Sequence, residues 1–165
     1  MLLGVWHTSW SVRDLERSVA FYLRLGFALV HRQEQQNEYT EELVGMENAG
    51  LRAAMLKLTG VAPGPSGHVI ELVEYFNPIG SQLHARPCDI PSAHLALITN
   101  DAHGHFRRLE EDGVKFVSPP VKITSGVNRG GFTCYLYDPD GFVLELMQPP
   151  RWRLEGRAKP DGEEA

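Results

Sequence analysis

Apolar and polar positions along the chain fall into two similar series. Between residues 5 and 12, and again between 93 and 99, an apolar-rich stretch carries one histidine, His7 or His94, and reads as a strand. An aspartate follows each, Asp14 or Asp101, whose short carboxylate can accept from the free amides of a first helical turn. Leu15, Val19, Tyr22 and Leu23 then recur at helical spacing, and Phe106 and Leu109 do so among charged neighbours in the second series. Gly26 and Gly113 stand where a helix ends in a left-handed residue, and each opens onto a short apolar strand, 27–30 or 114–117. Strands over 51–58 and 68–75 complete the first series; strands over 131–137 and 142–147 complete the second.

The two series are one plan written twice. At an offset of 87 positions, His7 falls on His94, Asp14 on Asp101, Gly26 on Gly113 and Val30 on Val117 without a gap. At the end of each half the offset is 74, where Ile70-Glu71-Leu72-Val73 parallels Leu144-Glu145-Leu146-Met147. The first half therefore carries extra chain, expected as loop within 34–50 or within the Pro/Gly-rich 59–67. Residues 80–91 link the halves. After Pro149-Pro150, residues 151–165 are polar, of mixed charge, and expected to be mobile or draped on the surface. The expectation is one domain over 1–150, made of modules at about 3–79 and 92–149, followed by a polar tail.

Composition narrows the function classes. The chain has 165 residues, 42% hydrophobic and 22% charged, within the range of one globular domain able to bury roughly two-thirds of its unfolded surface. A net charge of -5 gives no basic surface for nucleic acid or an acidic membrane. No apolar run approaches the ~20 residues of a spanning helix. The opening Met-Leu-Leu-Gly-Val-Trp-His has no basic region and predicts no signal peptide. Two cysteines, Cys88 and Cys134, are not a disulfide framework and fit a reducing compartment, so a cytoplasmic location is expected.

The residues that carry chemistry are two histidines and two glutamates at matched places: His7 with Glu71, and His94 with Glu145. Both glutamates sit mid-strand among Ile, Leu, Val or Met, where a carboxylate is costly to bury unless paired, hydrogen-bonded or bound to a cation. Taken singly, a strand histidine is more often a satisfied core or surface residue than a ligand. Recurrence in both halves changes that weighting. If the halves are related by pseudo-twofold symmetry, two imidazoles and two carboxylates suit a divalent Ni, Co, Zn, Mn or Fe ion. Glu71 shares its strand face with Val69 and Val73, and Glu145 with Val143 and Met147.

At these residues the sequence resembles the vicinal oxygen chelate superfamily, which includes glyoxalase I, methylmalonyl-CoA epimerase, extradiol dioxygenases and bleomycin and fosfomycin resistance proteins. The resemblance spans about residues 3–149. It rests on His7, the run Val12-Arg13-Asp14-Leu15-Glu16-Arg17-Ser18-Val19-Ala20-Phe21-Tyr22, Gly26-Phe27, Val69-Ile70-Glu71-Leu72, His94, and Asp138-Pro139-Asp140-Gly141 followed by Glu145-Leu146. It implies an α+β fold, with two tandem βαβββ modules whose curved mixed sheets surround a metal-binding cavity. It also implies that His7, Glu71, His94 and Glu145 are the metal ligands. Asp138 to Gly141 form a turn that aims Glu145 and is given no chemistry.

The ligand set is most similar to that of glyoxalase I. The implied activity is that of a metal-dependent lyase or isomerase of the glyoxalase I or epimerase type, moving a proton beside a metal-bound carbonyl of a small oxygenated substrate. Glu145 is then the first choice of proton shuttle and Glu71 the second. An extradiol-type dioxygenase is one alternative, since Tyr135 precedes Glu145 by ten positions as a tyrosine does in those enzymes. The histidine expected before that tyrosine is absent from Gly126-Val127-Asn128. A non-enzymatic resistance protein that binds an antibiotic or other small ligand is the second alternative. Weaker substrate-site expectations fall on Tyr75, Lys122, Arg129 and Tyr135, with 122–131 as a lid over an anionic substrate. Trp6 and Trp10 are expected behind the first sheet, as core or as a subunit contact, and the resemblance implies a homodimer.

Overall fold

The computed structural model describes residues 5–60, 69–84, 86, 88–90 and 92–156. His68, the Pro/Gly-rich 61–67, residues 1–4 and the polar end 157–165 lie outside the described residues. The chain forms two compact units, Met1–Leu83 and His84–Ala165.

In the first unit the order is β1 (Thr8–Ser11), α1 (Leu15–Arg24), β2 (Phe27–Gln35), α2 (Glu38–Val44), β3 (Gly50–Leu58) and β4 (Val69–Asn77). The strands lie in the order β1-β4-β3-β2, with β1 parallel to β4 and the other pairs antiparallel. The second unit repeats this with β5 (His94–Ile98), α3 (Ala102–Glu111), β6 (Val121–Lys122), β7 (Phe132–Tyr137) and β8 (Val143–Gln148), ordered β5-β8-β7-β6. This is the expected α+β fold, two tandem βαβββ modules with mixed sheets.

Each helix forms where its cap and apolar stripe place it. Asp14 Oδ1 accepts from Arg17 N at 2.9 Å, and Asp101 Oδ1 from Gly104 N at 2.8 Å. A second acceptor also recurs: Glu74 Oε2 takes the amide of Leu15 at 2.8 Å, and Gln148 Oε1 takes that of Ala102 at 2.8 Å. The helices cover one face of each sheet. Leu15, Val19, Phe21 and Tyr22 pack over Ala54, Leu56, Ile70 and Leu72, all buried. Tyr22 is the hub, edge-on to Trp10, Phe21 and Phe27 at 5.1–5.7 Å between centroids. Leu23, expected on the buried stripe, is 46% exposed, because Phe21 and Ser18 take the inward positions. In the second unit Ala102 and Leu109 lie against Cys134, Leu136, Leu144 and Leu146.

Two expectations need correction. The extra chain of the first half is not only loop, since Asn37 caps a short helix, α2, through Thr40 N, and Gly45 ends it at φ 67°. The strand expected over 114–117 reduces to an isolated bridge at Phe116 opposite Leu136, and the paired strand comes later, as β6. Ser118-Pro119-Pro120 explains the interruption, because proline has no N–H to give a ladder. The tail begins with a helical turn, α4 (Arg151–Leu154). Among the described residues no helix is long and apolar enough to cross a membrane.

Candidate functional site

The helices take one face of each sheet, and the chemistry sits on the other. In β4 the even positions Ile70 and Leu72 are buried towards α1, leaving Glu71, Val73 and Tyr75 on the opposite face. In β8 Leu144 and Leu146 are buried, leaving Glu145 and Met147 opposite. His7 immediately precedes β1, and His94 is the first residue of β5. Each of these strands runs parallel to the one bearing the glutamate, with Ser9 opposite Glu71 and Ala96 opposite Glu145.

The result is the same short contact in both units. His7 Nε2 lies 3.4 Å from Glu71 Oε2, and His94 Nε2 lies 3.4 Å from Glu145 Oε2. This is longer than a good N–H···O hydrogen bond of about 2.7–3.2 Å. It is the separation expected of two atoms on one ion: donors each about 2.1 Å from a divalent cation stand about 3.4 Å apart at the tetrahedral angle. Both carboxylates are largely withdrawn from water, at 16% and 15% side-chain exposure, and neither has a Lys or Arg partner among the described residues. Glu74, equally withdrawn on the other face of the first sheet, does have one in Arg52. The donor chemistry, spacing and missing charge partner all fit a divalent cation. Among the described residues no group of three or more His, Cys, Asp or Glu could hold a metal, so each unit by itself offers two donors. His7 Nδ1 is buried without a hydrogen-bond partner, so it lacks the acceptor that usually orients a ligating imidazole.

The two His–Glu pairs differ in their neighbours. Tyr135 of β7 lies directly opposite Glu145, and its ring is 5.4 Å from that of His94. The matching place in the first sheet, opposite Glu71, holds Met55. Thr133, two residues before Tyr135 on the same face, donates its hydroxyl to Glu145 Oε1 at 2.6 Å. Sequence reading misses Thr133, although strand parity from Tyr135 already places it on that face. Asp138 Oδ1 accepts from Asp140 N and Phe142 N at 2.9 and 2.8 Å, closing the turn from which β8 and Glu145 emerge. Burial, and to a lesser degree the Glu145 charge, push the Cys134 thiol up to about 11.

Of the weaker expectations, Tyr75 shares the Glu71 face and Tyr135 lies beside His94 and opposite Glu145. Lys122 does not. It pairs with Phe132, whose ring packs 4.8 Å from His103 of α3, and so belongs to the helix-covered face. Arg129 is exposed in a turn where its amide donates to Gly126 O. The expected lid, 122–131, is tied at its base by Ile123 N to Gly131 O and Gly130 N to Ile123 O, each 2.9 Å. Asn128 reaches Met147 Sδ at 2.9 Å. Trp10 packs on Tyr22 behind the first sheet, whereas Trp6 is 66% exposed. His103 and His105 lie on α3, away from both His–Glu pairs.

Comparison with known proteins bears on the family and the fold. The chain is 29% identical over 147 residues to the lactoylglutathione lyase of Salmonella typhimurium, covering 86% of this chain and 90% of that one. It is 27% identical over 143 residues to the uncharacterized protein YwbC of Bacillus subtilis, covering 86% and 94%. A glyoxalase family protein from Bacillus cereus has a similar fold, with a TM-score of 0.77 over 91% of this chain and 96% of that one at 18% identity. Residues 4–146 match the model of the Glyoxalase/Bleomycin resistance protein/Dioxygenase superfamily, and the chain belongs to that superfamily.

Proposed function

We propose that the protein is a metal-dependent lyase or isomerase of the glyoxalase I or epimerase type. Its substrate is a small oxygenated molecule in which a proton moves beside a carbonyl. The carrying observation is the twice-repeated pair, His7 with Glu71 and His94 with Glu145, each with donor atoms 3.4 Å apart. These four residues are the ligands of one divalent cation, drawn from Ni, Co, Zn, Mn and Fe. When bound, the cation supplies Lewis-acid stabilisation of the negative charge developing beside the carbonyl. Glu145 and Glu71 are the groups within reach to take up and return the carbon-bound proton. Each shares its own strand face with apolar side chains, Glu71 with Val73 and Glu145 with Met147 and Tyr135, which lessen the water that competes for that proton. The lyase name of the Salmonella relative supports this reading.

The test is metal analysis joined to isotope exchange. The purified protein is expected to hold about one divalent ion per chain, and H7A, E71A, H94A and E145A each to lose it. With methylglyoxal and a thiol as a first probe, the holoprotein is expected to exchange deuterium at the substrate α-carbon. A wild-type protein that takes up no metal would sink the proposal. The contact between Tyr135 and His94 favours one second reading, an extradiol-type dioxygenase. Oxygen consumption with a catechol, without α-carbon exchange, would select it.

A further inference from the structure

The two glutamates are equivalent in the repeat but not in their surroundings. Thr133 lies opposite Met147 in the antiparallel ladder and diagonal to Glu145. In the first sheet the same place, opposite Val73 and diagonal to Glu71, is held by Ala53. Val73 and Met147 are themselves equivalent in the repeat, so the comparison is position for position. The Thr133 hydroxyl stands 2.6 Å from Glu145 Oε1 and 3.1 Å from the Leu146 carbonyl. It has one proton to give, and the closer, charged oxygen is the stronger acceptor. Glu71 has no such donor among the described residues. Ser9 faces it across the parallel ladder, but no hydrogen bond joins them.

We infer that Thr133 is a positioning residue for the metal ligand Glu145. Its hydroxyl occupies Oε1 and leaves Oε2, the oxygen 3.4 Å from His94 Nε2, as the one that would hold a cation together with His94. Glu145 is thereby restricted to one ligating oxygen in a fixed rotamer, and Glu71 remains the less restrained carboxylate. The strand makes this arrangement rigid, because Thr133 is β-branched and sits in a paired position on β7. The inference rests on the four-ligand reading above.

Zinc affinity of the full chain, measured by competition with a chromophoric chelator, tests it. T133V removes the hydroxyl at nearly constant shape and is expected to weaken zinc binding about 10–100-fold, the usual loss on removing an outer partner of a ligand. T133S restores the hydroxyl and is expected to stay within about threefold of wild type, while S9A is expected to change nothing. Urea midpoints of all variants show whether a loss is merely structural; if T133V does not fold, T133A takes its place. The inference is overturned if T133V or T133A binds zinc like wild type while H94A does not, or if T133S is as weak as T133V at an unchanged midpoint. If wild-type protein takes up no zinc or other divalent ion, the four-ligand reading itself has failed, a different result from either.

Discussion

At the scale of single residues, neighbouring positions on β7 have opposite fates. Thr133 and Tyr135 share the face of Glu145, while Cys134 between them is buried against α3 at 2% exposure. A thiol placed there cannot ionise easily, because the charged form would lose its hydration and lie near the Glu145 carboxylate. With its pKa pushed up to about 11, roughly one Cys134 in a thousand is thiolate at pH 8. Cys88 is exposed. Iodoacetamide is therefore expected to label one cysteine per native chain quickly, at Cys88, and the second only after denaturation. Peptide mapping checks the assignment, and rapid native labelling of Cys134 would contradict the placement of β7. The linkage has a definite sign. The folded protein keeps this proton when the unfolded chain, with an ordinary thiol near 8.5, has lost it, so Cys134 lowers stability as pH rises from about 8.5 towards 11. The four proposed ligands were legible in the sequence, because a carboxylate inside an apolar strand is conspicuous and its repetition more so. Thr133 was not, because a threonine in a strand is ordinary until the ladder shows which glutamate it faces.

At the scale of elements, the sequence was most readable where one local cause decides the outcome. Asp14 and Asp101 start their helices, and Gly26 and Gly113 follow them at φ 95° and 79°. It was least readable where no apolar stripe exists. The α2 sequence Glu-Tyr-Thr-Glu-Glu-Leu-Val buries only Thr40, so periodicity says nothing, and only Asn37 and Gly45 mark its ends. For 114–117 the apolar pattern was real but the following prolines limited the pairing. Close packing of elements was also invisible. Gly131 enters β7 so near the end of β8 that a Cβ there would lie 2.2 Å from Gln148 O and 3.0 Å from Asn128 O. Both are backbone atoms and cannot swing aside. G131A is expected to cost about 3 kcal/mol, the upper end for overpacking, and to loosen the 123–131 turn. Gly45, at φ 67° and with open space around it, is the control; G45N is expected to cost no more than about 1 kcal/mol. Urea midpoints at constant slope decide between them.

At the scale of the whole molecule, the repeat gives each unit two of the four proposed ligands. Met1–Leu83 offers His7 and Glu71, and His84–Ala165 offers His94 and Glu145. A cation held by all four would link the folding of both units to a single binding event, because metal that binds only the folded chain stabilises all of it by mass action. At a free metal concentration of 100 times Kd the gain is about 2.7 kcal/mol. For a chain of this size that corresponds to a rise in Tm of about 5–10 °C. Removing metal with a chelator is expected to lower Tm by that amount in wild type. The same treatment should have almost no effect in H7A, which lacks a ligand from the first unit, or in H94A, which lacks one from the second. The double variant H7A/H94A is expected to resemble either single variant in the metal-dependent part, since a shared cation can be lost only once. Two independent half-sites would behave otherwise: each single variant would keep about half of the chelator-sensitive shift, and only the double variant would lose it all. Calorimetry on four proteins, with and without chelator, therefore distinguishes one shared centre from two separate ones.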